Sequence, residues 1–386
     1  VLDLDHTLLN STREAEVPAG AAPALARLLE REVALEKKEG EEAAARERGA
    51  ATAADAEPAE PPARSSRGRP GTPYRAAPPL DAADPPPPPP PLPSRTLFHL
   101  PHLGLWTKLR PGCRPFLARA ATEFELAVYT HGDRAYAAAM AGLLDPDGSL
   151  FGGRVISQGD STAAHHKSLD VTLGDDAGTL ILDDTAAVWP THGANLILVD
   201  RYIFFPACAG RFARGRSLLE AGLDEDGARG MLSVARAVLG RVHTASFEAA
   251  AAGRDPDVRT HLAAERARVL AGCRVVLSGL APLGTDVRTC AAARVATSLG
   301  ATVDDAVTPT TTHVVAAADG TSKAVAARAA GASLVSPAWL DACVFRWARA
   351  READFPPPPP GAERAPLSAA ADLAAAAAAA GGGRGR

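Results

Sequence analysis

Short, largely apolar runs, several of them ending on a polar group, alternate along this chain with stretches of helical spacing. Val1-Leu2 runs into Asp3, with Asp5 two residues on. Residues 124–130 end on Thr130, residues 154–157 on a serine, and residues 178–184 on Asp183 and Asp184. Residues 195–199 form a fifth run. The unbroken apolar runs at 178–184 and 195–199 predict parallel strands buried on both faces. Residues 134–144 space Ala and Met for helix packing. Strands alternating with helices predict a doubly wound α/β sheet. Ligands bind such sheets beyond the carboxyl ends of the strands, which is where Asp3, Asp5, Thr130, Asp183 and Asp184 would gather.

The pattern changes along the chain and so divides it. Residues 1–10 and 95–215 form the first predicted domain. Between them, 11–94 reads as a charged, Pro-rich insert. Within it, residues 30–48 carry the charge pattern of a solvated helix. Residues 55–93, ending in the prolines of 85–91, cannot bury a core and are expected to be disordered. Residues 216–270 are a helical connector. From 271 to 350 the order is strand (273–277), helix (289–299), strands (300–303 and 313–316), helix (322–330), strand (333–335) and helix (337–347), a second small α/β domain. A Pro-, Ala- and Gly-rich tail, 351–386, is expected to be disordered.

Composition narrows the function. The 386 residues are too many for one ordinary domain. A net charge of -4 argues against a general nucleic-acid-binding surface. The five cysteines show no CxxC spacing, which fits free thiols in a reducing compartment. No apolar run reaches the length of a membrane span. The chain starts without Met inside a strand, so it is expected to be a piece of a longer sequence.

The opening carries the chemistry. On a strand, residues i and i+2 share a face, so Asp3 and Asp5 lean over one edge. One carboxylate can attack phosphorus and become an aspartyl-phosphate. The other can protonate the leaving group and then activate water. Thr7 can hold a hydrogen bond across the turn. Taken alone, DxDxT is equally compatible with a turn without chemistry. By alternation His6 points away from both carboxylates, toward a packing role or one supporting the site from behind its lining residues. Trp106 and Trp189 read as core or rim residues, and His165-His166 as a solvated loop.

Several motifs in order carry a resemblance. They are Leu2-Asp-Leu-Asp-His-Thr-Leu-Leu-Asn-Ser11, Trp106-Thr-Lys-Leu-Arg-Pro-Gly112, Val128-Tyr-Thr-His-Gly132, Arg134-Ala-Tyr-Ala137, Leu143-Leu-Asp-Pro146, Arg154-Val-Ile-Ser157, Leu180-Ile-Leu-Asp-Asp-Thr185, Val188-Trp-Pro190 and Asn195-Leu-Ile-Leu-Val-Asp-Arg-Tyr202. With them the chain resembles the FCP/SCP class of haloacid-dehalogenase-superfamily phosphatases. More closely it resembles the plant RNA polymerase II C-terminal-domain phosphatase-like proteins that carry a BRCT domain.

The resemblance implies an HAD-like fold and a Mg²⁺-dependent serine phosphatase. Its substrate would be the phosphorylated heptad-repeat tail of RNA polymerase II, in the nucleus. It implies Asp3 as nucleophile and metal ligand, and Asp5 as general acid/base that also gives its carbonyl to Mg²⁺. Thr7 would position Asp5, Thr130 would bind phosphoryl oxygens and Lys167 would neutralise charge. Asp184 would ligate the metal, with Asp183 in support. Arg110 and Asp145 would serve substrate binding or architecture. The family reads Ser-Arg where this chain has Ser157-Gln158; Gln158 can bind substrate but adds no charge.

Residues 271–350 resemble BRCT through Gly272-Cys-Arg-Val-Val-Leu-Ser-Gly279, Gly300-Ala-Thr, Thr312-His-Val-Val315, Gly320-Thr-Ser-Lys323 and Pro337-Ala-Trp-Leu340. That likeness implies a phosphate site at Ser278, Gly279 and Lys323, for the polymerase tail, a general transcription factor or another phosphoprotein. Unphosphorylated partners remain open. Direct nucleic-acid or membrane binding is not expected. The rival reading is a phosphoprotein-binding scaffold with a weak or inactive phosphatase domain, which Gln158 favours and the intact aspartate set opposes. A small-molecule phosphatase of the same superfamily is disfavoured, because the Pro-rich insert cannot form a cap.

Overall fold

In the computed structural model, which describes residues 1–54, 94–163, 165–172, 174–212, 215–281 and 284–361, Leu2 bridges two parallel neighbours, Val128 and Leu182. The Leu2 N–H donates to the Ala127 carbonyl at 2.8 Å and the Asp3 N–H to the Leu182 carbonyl at 2.9 Å. The opening segment is thus a short strand followed by its turn. It is the centre of a sheet, and the chain turns directly after Asp5. Residues 9–13 then form a different strand, β1 (Leu9–Arg13), which pairs antiparallel with a later hairpin, β2 (Leu97–Leu100) and β3 (Leu105–Leu109), in the order β1-β3-β2. Its register sets Ser11 opposite Thr107 and Thr12 opposite Trp106.

Around Leu2 the parallel strands are β4 (Val128–Tyr129), β5 (Val155–Ile156), β6 (Ile181–Asp183) and β7 (Leu196–Leu198), paired β4 with β5 and β6 with β7. The spatial order is therefore β5, β4, the Leu2 segment, β6, β7. β6 and β7 are buried throughout, which is why their sequences show no alternation.

Residues 23–95 form a separate unit. Its described part is mainly α1 (Ala22–Ala54), longer at both ends than the helix expected at 30–48. Lys38 and Glu42 make an exposed i,i+4 pair at 3.8 Å, and Glu36 pairs with Arg95 at 3.5 Å. The expected disordered stretches at 55–93 and 362–386 lie outside the described residues.

Helices α2 (Cys113–Ala120) and α3 (Arg134–Leu144) flank the sheet, and two short ones, α4 (Pro206–Arg211) and α5 (Leu218–Ala221), follow β7. The connector is α6 (Met231–Ala251) and α7 (Val258–Ala267). Beyond it β8 (Arg274–Ser278), β9 (Thr302–Asp304), β10 (His313–Ala316) and β11 (Ser333–Val335) form an all-parallel sheet ordered β11-β10-β8-β9. With α8 (Ala291–Ser298), α9 (Ser322–Ala330) and α10 (Ala338–Arg346), the element order is the one the sequence predicts. Residues 351–361 do not leave this domain as expected of a tail. The Ser336 N–H donates to the Phe355 carbonyl and the Asp319 N–H to the Pro358 carbonyl, both at 2.8 Å, so this Pro-rich stretch is tied down by its backbone.

One buried cluster joins Tyr129, Ile181, Trp189 and Leu198 of the first sheet to Leu270, Val275, Val315 and Trp339 of the second domain. A close approach fixes the junction. A Cβ on Gly300, whose φ is +92°, would lie 1.8 Å from the Ala267 carbonyl oxygen at the end of α7. Arg266, on the same helix, is buried, donates to the Leu196 carbonyl at 3.0 Å and lies over the Trp347 ring. Burial lowers its pKa to about 10.

Candidate active site

Where the chain leaves the Leu2 segment it folds into a tight turn. The Leu4 carbonyl accepts the N–H groups of Thr7 (3.2 Å), Leu8 (2.9 Å) and Leu9 (3.1 Å). His6 takes the left-handed conformation, φ +63°, unusual for a residue with a Cβ. Alternation therefore ends at Asp5. His6 lines the cleft after all, held by Nδ1 to the Tyr202 carbonyl at 3.1 Å and edge-on to Phe212.

The cleft, about 160 Å³, opens beyond the carboxyl ends of the strands and is lined by Asp3, Asp5, Thr130, Lys167, Asp183 and Asp184, among others. Lys167 comes from the loop after β5, placed by its N–H on the Val188 carbonyl at 2.7 Å. Its Nζ donates to Asp3 Oδ1 at 2.6 Å and to Asp183 Oδ2 at 2.7 Å. It sits near the Tyr129 and Trp189 rings. Burial opposes its charge, but Asp183 and Asp3 outweigh that and hold its pKa above the ordinary lysine value. Asp183 is held from below by the Trp189 Nε1–H (2.9 Å) and the Thr185 N–H (2.8 Å). Asp184 accepts from Arg201 Nε at 2.5 Å and Thr185 Oγ1 at 3.0 Å.

Asp3 is driven well above the usual carboxylate range by burial and by Asp183, with Lys167 pulling the other way. Oxygens of Asp3, Asp183 and Asp184 lie within 4.8 Å of one another. Three buried carboxylates, with Lys167 shared by Asp3 and Asp183 and Arg201 on Asp184, still leave one more carboxylate than cation in a small space. That donor set suits a hard cation with oxygen ligands. Asp5 contributes no carboxylate to this trio. Its Oδ1 accepts from the Tyr136 hydroxyl at 2.6 Å, and burial raises its pKa despite that bond. A carboxyl group that keeps its proton more readily is suited to give it to a leaving group.

Thr130 is buried at the rim, its Oγ1 accepting the Gly132 N–H at 2.9 Å. Thr7 Oγ1 is buried without a hydrogen-bond partner, so the side-chain tie to Asp5 that the sequence suggests is not made. The three candidate substrate residues do not line the cleft. Arg110 is fully buried beneath the turn, paired with Glu225 at 2.6 Å. Asp145 ends α3 and accepts the N–H groups of Leu150 (3.0 Å) and Phe151 (2.9 Å). Both therefore hold backbone. Gln158 is exposed, its N–H on the Gly132 carbonyl at 2.9 Å.

The sequence reading assigned no role to Tyr136, Arg201, His131 or Glu225. Tyr136 and Arg201 stand inside motifs already singled out, and their polarity in otherwise apolar settings was the available signal. Glu225 lies in an acidic stretch that reads as a solvated turn. In the second domain, Ser278 Oγ shares a hydrogen bond with Thr321 Oγ1 at 2.8 Å, and Lys323 Nζ donates to the Leu277 carbonyl at 3.0 Å. Gly279 has φ +70°. The three lie together where β8 ends and α9 begins.

Residues 92–209 match the NLI interacting factor-like phosphatase family, and residues 265–344 the BRCA1 C Terminus (BRCT) domain family. The chain is 40% identical over 270 residues to RNA polymerase II C-terminal domain phosphatase-like 3 of Arabidopsis thaliana, covering 67% of this chain and 22% of that protein. It is 41% identical over 262 residues to phosphatase-like 4 of the same plant, covering 67% of this chain and 60% of that protein. It thus spans less than two thirds of either relative. The structure of the fission yeast RNA polymerase II C-terminal-domain phosphatase bound to beryllium fluoride superposes with a TM-score of 0.53 at 28% identity, covering 68% of this chain and 84% of that one.

Proposed function

We propose that this chain, built of an NLI interacting factor-like phosphatase domain and a BRCT domain, is a Mg²⁺-dependent protein serine phosphatase. Its substrate in this reading is the phosphorylated heptad-repeat C-terminal domain of RNA polymerase II, in the nucleus, with dephosphorylation regulating transcription. The observation that carries the reading is Lys167 held at 2.6 Å from Asp3 and 2.7 Å from Asp183 inside an acidic cleft. The names of the plant relatives supply the substrate.

Asp3 attacks the phosphorus of a phosphoserine while the bond to the serine oxygen breaks and Asp5 gives that oxygen its proton. Asp5 then takes a proton from water, which attacks the aspartyl-phosphate and releases phosphate, restoring Asp3. Lys167 and Thr130 hold the phosphoryl oxygens; phosphoryl transfer depends mostly on such positioning and charge neutralisation. Bound Mg²⁺ would be held by Asp3, Asp184 and the Asp5 carbonyl, with Asp183 beside them, and would neutralise charge on the phosphoryl group. Ser278, Gly279 and Lys323 form the proposed anion site of the BRCT domain, for the polymerase tail or an associated phosphoprotein.

The test is phosphate release from heptad peptides phosphorylated at the second or fifth serine, with Mg²⁺ or EDTA, by wild type and Asp3→Asn. Release that needs Mg²⁺ and is lost in Asp3→Asn is expected. Peptide bound but left phosphorylated would replace the enzyme reading with the scaffold reading that Gln158 favours.

A further inference from the structure

We propose that Glu225 is a positioning residue for the catalytic turn, acting through Arg110 from a segment outside the matched phosphatase region. The inference rests on the phosphatase reading above. Residues 222–230, Gly-Leu-Asp-Glu-Asp-Gly-Ala-Arg-Gly, connect α5 to α6. The Glu225 carboxylate takes one edge of the Arg110 fork, Nε to Oε2 at 3.0 Å and Nη2 to Oε1 at 2.6 Å. The remaining donors of Arg110 face the other way. Nη1 donates to the Thr7 carbonyl at 3.1 Å and reaches the His6 carbonyl at 3.5 Å, and Nη2 donates to the Asp200 carbonyl at 2.9 Å. Two of these three carbonyls belong to the turn that carries Asp5.

The same segment holds the turn a second time. Asp224 pairs with buried Lys108 at 3.4 Å and accepts from the Tyr202 hydroxyl at 2.8 Å. The Tyr202 N–H donates to the His6 carbonyl at 2.8 Å. Close backbone contact makes this docking possible. A Cβ on Gly112, φ +78°, would lie 2.6 Å from the Gly227 carbonyl oxygen. Glu225 Oε2 also faces the Met231 N–H at 3.4 Å, where α6 begins. The turn, Arg110, Glu225 and the connector helix are therefore linked in series.

Burying a guanidinium is costly, and a well-packed apolar side chain would serve stability as well or better. What the planar fork adds is orientation: one edge fixed by a carboxylate fixes the other against the turn. A misplacement of about 1 Å at a reacting group can cost about 100-fold in rate.

The test compares wild type, Glu225→Gln and Glu225→Asp in the full chain. The readouts are kcat and KM on phosphorylated heptad peptide with Mg²⁺, and amide hydrogen exchange. Expected for Glu225→Gln is a fall in kcat of about 10- to 100-fold with KM within threefold. Exchange protection should be lost in peptides covering residues 4–12 and kept in those covering residues 313–316. Glu225→Asp keeps the charge but is too short for both bonds, and should be intermediate in both readouts; it carries the test if Glu225→Gln does not fold. A kcat within twofold of wild type, a loss expressed in KM, or equal loss of protection at 313–316 would overturn the proposal. If wild type releases no phosphate, the phosphatase reading fails, and exchange at residues 4–12 alone decides whether Glu225 holds the turn.

Discussion

Lys167 is the residue on which most of the site depends. It is nearly fully buried, and its ammonium is shared by two carboxylates. Removing one partner of a buried ion pair leaves a charge without compensation, at a cost of about 3–5 kcal/mol. Lys167→Met should therefore lower the urea midpoint by that equivalent in metal-free buffer and cut phosphate release at least about 100-fold. Wild-type stability in that variant would mean that the two carboxylates do not rely on the lysine. The aspartates and Thr130 stand at strand ends that the sequence displays, whereas Lys167 lies in a loop outside the quoted motifs and was suggested only by the family resemblance. The alternation argument for His6 does not apply, because the strand stops before it, although the ring does pack against Phe212 and bond the Tyr202 carbonyl. Arg110 and Asp145 were open between substrate binding and architecture, and their contacts with backbone fall on the architectural side. Which way a charged side chain points depends on groups far away in sequence, such as Glu225.

Among the elements, long periodic or wholly apolar segments were read best. α9 has the predicted bounds, and β6 and β7 lie inside their predicted runs. The antiparallel β1-β3-β2 sheet was not foreseen. Its strands are short, and β1 is separated from its partners by the whole insert. Glycine placement carries a sharper expectation. Gly300 combines a φ of +92° with a 1.8 Å approach to the Ala267 carbonyl oxygen. Gly300→Ala must strain the backbone and push α7 off the second domain. The loss should be at least about 1–3 kcal/mol, read as a lower thermal midpoint. An unchanged midpoint would show that α7 and the second domain are not held together there.

On the scale of the molecule, the buried cluster does not stop at the boundary between the two sheets. Trp189 and Trp339 belong to one continuous core, and Arg266 ties α7 to both β7 and Trp347. The two domains should therefore unfold together: far-ultraviolet dichroism and loss of phosphate release are expected to share one midpoint on heating. Two separated transitions would mean that the shared core adds little to either domain. The sequence alone determined which residues could do chemistry, because strand ends and carboxylate spacing are local properties. It also determined the order of the strongly periodic and wholly apolar elements, through periods that each such segment carries within itself. Only the tertiary structure decided that Lys167 bridges Asp3 and Asp183, that Glu225 grips Arg110 beneath the turn, and that the two sheets share a core. Each of these joins residues far apart in the chain, and their pairing is set by how buried charge and apolar surface are satisfied together once the chain has packed.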